Sequence, residues 1–380
     1  AVRARRVGNK SPGDFGMRDL ERDLGARLLP DSAGVDLSNP EVTAHVEIFE
    51  GNAHFFVDNI VCEAGLPLGT GDNAVALVSG GFDSAVAAWQ LHRRGVELDY
   101  VFCNLGGRTH QLGTVRVMHE LASRWCSGSR PRLHAIDFAD VTRELQAKTE
   151  PRFWQVLLKR LMLRAAEAVA GERSAYAIVT GEAVGQVSSQ TLANLHSISA
   201  ATSLPILRPL IGMNKEEIVR TAHRIGTGPL SAVVDEYCAL TTKNPATRTH
   251  LDVIEAQDRE MDASVLERAI REREVLNLAA LDVEDMGVPD LETTQMPSDA
   301  IVVDLRSRRE YDDWHPQDAL HLEWNHALEA YKSFGKDRTY VLYCEYGLKS
   351  AHLAELMHAA GLHGLHFRGG TRALRKSLDG

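Results

Sequence analysis

Three groups of residues in this 380-residue chain have the types and spacing to do chemistry. The first is Ser79-Gly80-Gly81-Phe82-Asp83-Ser84, which follows an apolar run and precedes a helical pattern. Glycines there let backbone N–H groups close around an anion, and a helix start adds partial positive charge. No Lys follows them, so this is neither a GxxxxGK[ST] loop nor a GxGxxG turn. Ser79 and Ser84 are placed to donate to a polyphosphate, and Asp83 to help hold Mg²⁺. The second group is Cys344, set in Leu342-Tyr343-Cys344-Glu345-Tyr346-Gly347-Leu348-Lys349-Ser350 between a strand end and a helix start. Backbone N–H groups around such a loop favour the thiolate, which is the nucleophile. The third is Cys238, 106 residues earlier, in Asp235-Glu236-Tyr237-Cys238-Ala239-Leu240. A phosphate-binding loop with two such thiols points to sulfur transfer onto an activated substrate.

The elements that must position these groups are legible in outline. Residues 17–29 have helical spacing, and 42–49 and 54–61 alternate like paired strands joined at Glu50-Gly51-Asn52. Gly65-Leu66-Pro67-Leu68-Gly69-Thr70-Gly71 is a glycine-rich connector. From Asp72 the pattern becomes strand–helix alternation, which implies a parallel sheet. Strands read at 75–78, 98–103, 133–137 and 176–180, with helices at 84–94 and 151–170. Asn214 and Glu217 are spaced as a capping box opening a further helix. Residues 252–297 are charge-rich and read as a linker. A second alternation then begins, with strands at 301–305, 340–343 and 365–367 and a helix at 350–360 closed by Gly361.

Bulk properties bound the function. At 44% hydrophobic and 25% charged, the composition is that of a globular protein with two or three domains. No apolar run approaches the roughly 18 residues of a membrane span, and no membrane partner is expected. Five cysteines form no CxxC pair, which argues against a zinc site or disulfide framework and for a reducing cytoplasm. Cys62, Cys103 and Cys126 lie on interior-looking segments and read as structural thiols. The net charge of −10 argues against RNA binding by the whole surface. Two local basic runs remain, at 1–30 and at 148–164 (Lys148, Arg152, Lys159, Arg160, Arg164). Each reads as a solvated face or as part of an RNA-binding surface.

The SGGFDS run resembles the PP-loop of ATP pyrophosphatases, which cleave ATP between the α- and β-phosphates. The likeness extends through Gly181-Glu182-Ala183-Val184-Gly185-Gln186-Val187-Ser188-Ser189-Gln190, Arg208-Pro209-Leu210-Ile211-Gly212-Met213-Asn214-Lys215, Ile225-Gly226-Thr227 and Glu236-Tyr237-Cys238. Together these resemble the tRNA 4-thiouridine synthetase (ThiI) family over nearly the whole chain. Val303-Asp304-Leu305-Arg306 and Phe367-Arg368-Gly369-Gly370 around Cys344 resemble the rhodanese pattern. The resemblance implies an α/β multidomain protein. Its parts are a partial THUMP RNA-binding domain (1–71), a doubly wound PP-loop adenylation domain (72–255), a linker (256–297) and a rhodanese-like domain (298–380). Family members carry a ferredoxin-like region ahead of the THUMP core, so the chain is expected to start inside that domain.

What the resemblance implies for function is specific. Mg-ATP adenylates a uridine near position eight of tRNA, and persulfide sulfur on Cys344 displaces AMP. Asp83 and Lys215 are the catalytic candidates of the PP-loop domain, with Ser79, Gly80, Gly81, Ser84, Gly181 and Gln190 at the nucleotide. A cation at Lys215 would offset charge developing on the α-phosphate. Gln186, Ser188, Ser189 and Gln190 either read a base edge or satisfy a polar loop. Cys238 takes the resolving role, forming a disulfide with Cys344, and the rhodanese domain swings between its sulfur donor and the ATP site. A cysteine desulfurase is the implied donor, and a sulfur-carrier protein of thiamine thiazole synthesis a second acceptor. Rhodanese loops commonly have arginine where Tyr346 stands, which leaves Lys349 or backbone amides to stabilise an anion. Two other readings compete: a sulfur carrier serving only a protein acceptor, and a PP-loop ligase acting on a small molecule. Intact Ser79–Ser84 and Lys215 argue against the first, and the intact Cys344 loop against the second.

Overall fold

In the computed structural model inner and outer positions alternate along β1 (Val2–Val7), with Arg3 and Arg5 outward, and the strand pairs in parallel with β2 (Ala44–Phe49). The structure describes residues 1–8, 15–58, 60, 62–234, 244–282, 291–297, 299–345 and 347–378. Contacts divide the chain into two units, 1–64 and 65–380. In the first, α1 (Met17–Leu28) connects β1 to β2, and Glu21 accepts a hydrogen bond from the Ala4 N–H at 2.8 Å. β3 (Asn52–Phe56) returns antiparallel to β2. Glu50 and Gly51 both have positive φ (49° and 80°), which suits the twist of a two-residue hairpin. Part of the basic run expected at 1–30 is used internally. Arg5 pairs with Glu47 and Arg3 donates to the Leu37 carbonyl at 2.7 Å.

The glycine connector belongs to the second unit, a correction to the expected boundary at 71. Leu66 N–H donates to the Arg93 carbonyl at 2.9 Å, and the N–H groups of Gly69 and Gly71 share the Gly95 carbonyl. Beyond it β4 (Asn73–Val78), α2 (Phe82–His92), β5 (Glu97–Asn104), α3 (Gly107–Trp125) and β6 (Arg132–Asp137) form the first half of a doubly wound sheet. Next come α4 (Ala139–Lys148), α5 (Trp154–Glu172), β7 (Ile178–Val179), α6 (Leu192–Ser199), β8 (Ile206–Leu207), α7 (Lys215–Ile225) and α8 (Gly228–Ser231). Strands buried on both faces split their side chains between two cores. Tyr100 and Phe102 of β5 pack with Trp89 and Met118 on one face, while Val101 and Cys103 pack with Leu157 and Leu161 on the other.

Residues 256–278 are not a linker. α9 (Leu251–Arg259) and α10 (Ala263–Arg271) lead into β9 (Glu274–Asn277), which pairs antiparallel with β6. Leu278 is fully buried in the core of this sheet. The strand order is β8-β7-β4-β5-β6-β9. After β6 the chain crosses back to β7 on the far side of β4, and such a reversal opens a crevice at the strand ends.

The last domain starts before 298, because β10 (Glu292–Thr293) pairs with β14 (His363–Phe367). Between them run β11 (Ile301–Asp304), α11 (Arg308–Asp313), β12 (Leu320–His321), α12 (Trp324–Ala330), β13 (Thr339–Tyr343) and α13 (Leu348–Ala359); α14 (Gly370–Leu378) follows. The sheet is parallel, in order β10-β14-β13-β11-β12. No helix among the described residues is long and apolar enough to cross a membrane.

If residues 256–278 belong to the middle domain, Leu278→Ala should cost about 2–5 kcal/mol, read from the denaturant midpoint of that domain. A linker position would change it by less than about 0.5 kcal/mol.

Candidate active site

β4 ends at Val78, and from Ser79 the chain must turn sharply to start α2. Gly80 takes φ +75°, and a Cβ there would sit 2.9 Å from Thr114 Oγ1. Ser84 Oγ closes the loop, donating to the Gly81 carbonyl at 3.1 Å and accepting from the Ser79 N–H at 3.3 Å. Gly81 is the N-cap of α2 with no side-chain cap, so the first amides of the helix keep their donors for a ligand. The strand on the other side of the reversal, β7, runs into Thr180-Gly181-Glu182. A Cβ on Gly181 would lie 2.7 Å from the Asp83 carbonyl carbon. The two loops therefore meet backbone to backbone.

Between them lies a cavity of about 620 Å³, a size suited to a nucleotide. Ser79, Asp83, Ser84, Gly181, Gln186 and Gln190 of the expected residues line it; Gly80 and Gly81 shape its loop. Asp83 accepts from Lys215 Nζ at 2.7 Å and from Gln186 Nε2 at 2.8 Å. Lys215 opens α7 behind the capping box of Asn214 and Glu217, and reaches the cavity through Asp83. Gln190 Oε1 is buried with no protein hydrogen bond, which leaves an acceptor for a ligand N–H. Ser188 Oγ instead donates to Gln155 at 2.7 Å. Among the described residues no three His, Cys, Asp or Glu side chains gather to hold a metal. Asp83 is a single carboxylate at the phosphate loop.

Sequence reasoning missed three groups on this wall. Glu182 is buried, accepting from Arg208 Nε at 2.8 Å and Thr180 Oγ1 at 3.1 Å, with Lys159 Nζ 3.4 Å away. Burial pushes its pKa up, but Lys159 and Arg208 pull harder, so its carboxyl is held below its ordinary value. His110 lines the cavity and hydrogen-bonds the Ser79 backbone, and burial lowers its pKa to about 4, leaving it neutral. The signal for Lys159 was present but misread, because the later part of the basic run, Lys159, Arg160 and Arg164, turns toward buried carboxylates while Lys148 and Arg152 stay exposed. Arg160 is 2% exposed and, with Arg164, pairs with Asp258.

Cys344 directly follows β13 and is 3% exposed. Its Sγ lies 3.6 Å from Ser350 Oγ, which donates to the Gly347 carbonyl at 3.2 Å. Gly347 caps α13 with φ +79°. The Gly369-Gly370 turn grips the loop from the other side. Thr371 N–H donates to the Cys344 carbonyl at 3.0 Å, and a Cβ on Gly370 would come 2.7 Å from the same oxygen. Beneath the loop Asp304 is fully buried, accepting from the Arg306 backbone N–H (2.9 Å), from Arg306 Nε (3.0 and 3.2 Å) and Nη2 (2.7 Å), and from the Tyr343 hydroxyl. Burial, then Asp304, pushes the Tyr343 pKa up, so the phenol keeps its proton. Lys349 Nζ lies 5.8 Å from the Trp324 ring centroid.

Cys238 and Tyr346 lie outside the described residues. Cys103 and Cys126 are buried, with the Cys126 thiol pushed up to about 11 by burial. Cys62 is exposed, which corrects its expected interior position.

Comparison with known proteins covers the chain from end to end. A model described as thiamine biosynthesis protein (ThiI) matches residues 69–263, a rhodanese-like domain 289–376 and a THUMP domain 1–58. A tRNA sulfurtransferase of Pyrobaculum aerophilum is 36% identical over 383 residues, covering 100% of this chain and 78% of that protein. One from Marinobacter nauticus is 37% identical, over 96% and 76%. A solved 4-thiouridine synthetase–RNA complex with bound ATP is 34% identical with a TM-score of 0.64, covering 72% of this chain and 73% of that one. This chain belongs to the ThiI family of tRNA sulfurtransferases.

Proposed function

We propose that this enzyme uses ATP to activate the C4 oxygen of a tRNA uridine, at position eight, and replaces it with sulfur carried by Cys344. The observation that carries this reading is one compact unit, 65–380, holding both a phosphate-loop cavity and a rhodanese-type cysteine loop. The relatives' names and the ATP-bound synthetase complex support the choice of substrates.

In the first step the C4 oxygen attacks the α-phosphorus and pyrophosphate leaves, with the uridine N3 proton lost to solvent. Amides of the Ser79–Ser84 loop and the start of α2 face the phosphates, and Lys215 moves from Asp83 to the charge developing there. Mg²⁺ fits only with the triphosphate, since Asp83 is one carboxylate and the other ligands would be phosphate and water oxygens. When bound it would neutralise phosphate charge. Gln190 Oε1 is the acceptor for the adenine amino group.

In the second step the terminal sulfur of the Cys344 persulfide attacks C4 and AMP leaves with the original oxygen. Cys238 thiolate then attacks Cys344 Sγ in the adduct, expelling 4-thiouridine and leaving a Cys238–Cys344 disulfide. A dithiol reductant of the cytoplasm restores both thiols. A cysteine desulfurase loads Cys344, and the same persulfide can be passed to a sulfur-carrier protein of thiazole synthesis. The THUMP unit and its arginines supply RNA affinity, so binding should weaken with salt.

Gly181→Ala should lower ATP affinity at least tenfold in calorimetry, because the methyl group forces the two loops apart. Asp83→Asn should suppress AMP release in the presence of unmodified tRNA. Cys344→Ser should instead retain pyrophosphate release in the first turnover and abolish both AMP release and 4-thiouridine. Unchanged 4-thiouridine in both variants would sink this reading.

A further inference from the structure

The first turn of α3 is capped from another domain. Its N-cap, Gly106, has no side chain to offer, so the early amides need an acceptor from elsewhere. Glu355 of α13 provides it. Its Oε1 accepts the Thr109 N–H at 3.1 Å, across 246 residues of sequence. Thr109 is the third residue of α3, the position that an N-cap side chain normally serves. A carboxylate there also meets the positive end of the helix.

The neighbouring residues show what this contact aligns. His110, next to Thr109, hydrogen-bonds the Ser79 backbone of the phosphate loop and interacts electrostatically with His352 of α13. His352 lies three residues before Glu355, on the same face of that helix. It also lies four residues after Leu348, where α13 begins, or about 6 Å of axial rise. The Cys344 loop ends at that same residue. Farther along α3, Arg116 acts on His366 of β14. One face of the rhodanese-like domain thus packs along α3, whose His110 also lines the ATP cavity.

We propose that Glu355 is a positioning residue for sulfur delivery, docking the Cys344 domain onto α3 beside the ATP cavity that His110 lines. This rests on the sulfur-transfer reading above. Among the described residues the contact includes the Thr109–Glu355 hydrogen bond and polar approaches between His110 and His352 and between Arg116 and His366, interactions that water can replace when the domain leaves to collect sulfur.

The test uses full-length protein, unmodified tRNA, ATP and inorganic polysulfide to load Cys344. In Glu355→Ala, persulfide on Cys344 (by mass spectrometry) and first-turnover pyrophosphate release should stay within about twofold of the parent. The yield of 4-thiouridine per pyrophosphate, at a fixed early time, should fall about tenfold. Glu355→Gln, which keeps the side chain's shape and an acceptor, should fall between. Adding Gly106→Asp to Glu355→Ala gives α3 its own cap. Hydrogen exchange at the α3 N-terminus should then slow again while the yield stays low. Unchanged yield in Glu355→Ala and Glu355→Gln, or yield restored by Gly106→Asp, would overturn the proposal, since Glu355 would then only cap a helix. A Cys344→Ser enzyme that still makes 4-thiouridine would instead overturn the reading beneath it.

Discussion

The backbone of Gly181 passes so close to that of Asp83 that a single methyl group would lie 2.7 Å from the Asp83 carbonyl carbon. That contact joins the loops after β4 and β7 at the point where the sheet order reverses. It sets the width of the cavity and aims the amides of α2 into it. It also presents the Asp83 carboxylate to Lys215 and Gln186. The crevice comes from the topology; its closeness comes from glycines, because no other residue permits the approach.

The second site repeats this logic on a smaller sheet. Cys344 lies at the end of a central strand, and Gly369-Gly370 presses against its loop where Cβ atoms would collide. The Asp304–Arg306–Tyr343 cluster fixes the strand ends below. A buried carboxylate is tolerable there because it is fully hydrogen-bonded. Both sites gather backbone amides with glycine turns, the arrangement that a polyanion at one and a thiolate at the other would need. The two can be coupled without a shared cavity, through α3 and α13.

Local geometry explains which parts could be read in the sequence. Gly80, Gly347 and Gly361 stand where a positive φ favours glycine, and Asn214 with Glu217 forms the capping box their spacing implies. Other features were hidden by tertiary context. Helix α3 buries His110, Gln111 and Thr114 along with its apolar residues, so it shows no amphipathic stripe. In β1 the arginines masked an ordinary strand alternation. Charge-rich α9 and α10 resembled a linker because most of their surface is wet, yet Ile254 and Leu266 are buried. Lys159 and Arg160 read as a surface run until Glu182 and Asp258 were seen facing them. Glu355 had no local signal at all, since its partner lies 246 residues away.

Following oxygen rather than sulfur tests the chemistry most directly. With tRNA carrying heavy oxygen at C4 of the target uridine, and enzyme bearing persulfide on Cys344, each 4-thiouridine formed should yield one AMP whose phosphate carries the heavy atom. Heavy oxygen found in water or pyrophosphate, with unlabelled AMP, would contradict activation of the uridine by adenylation.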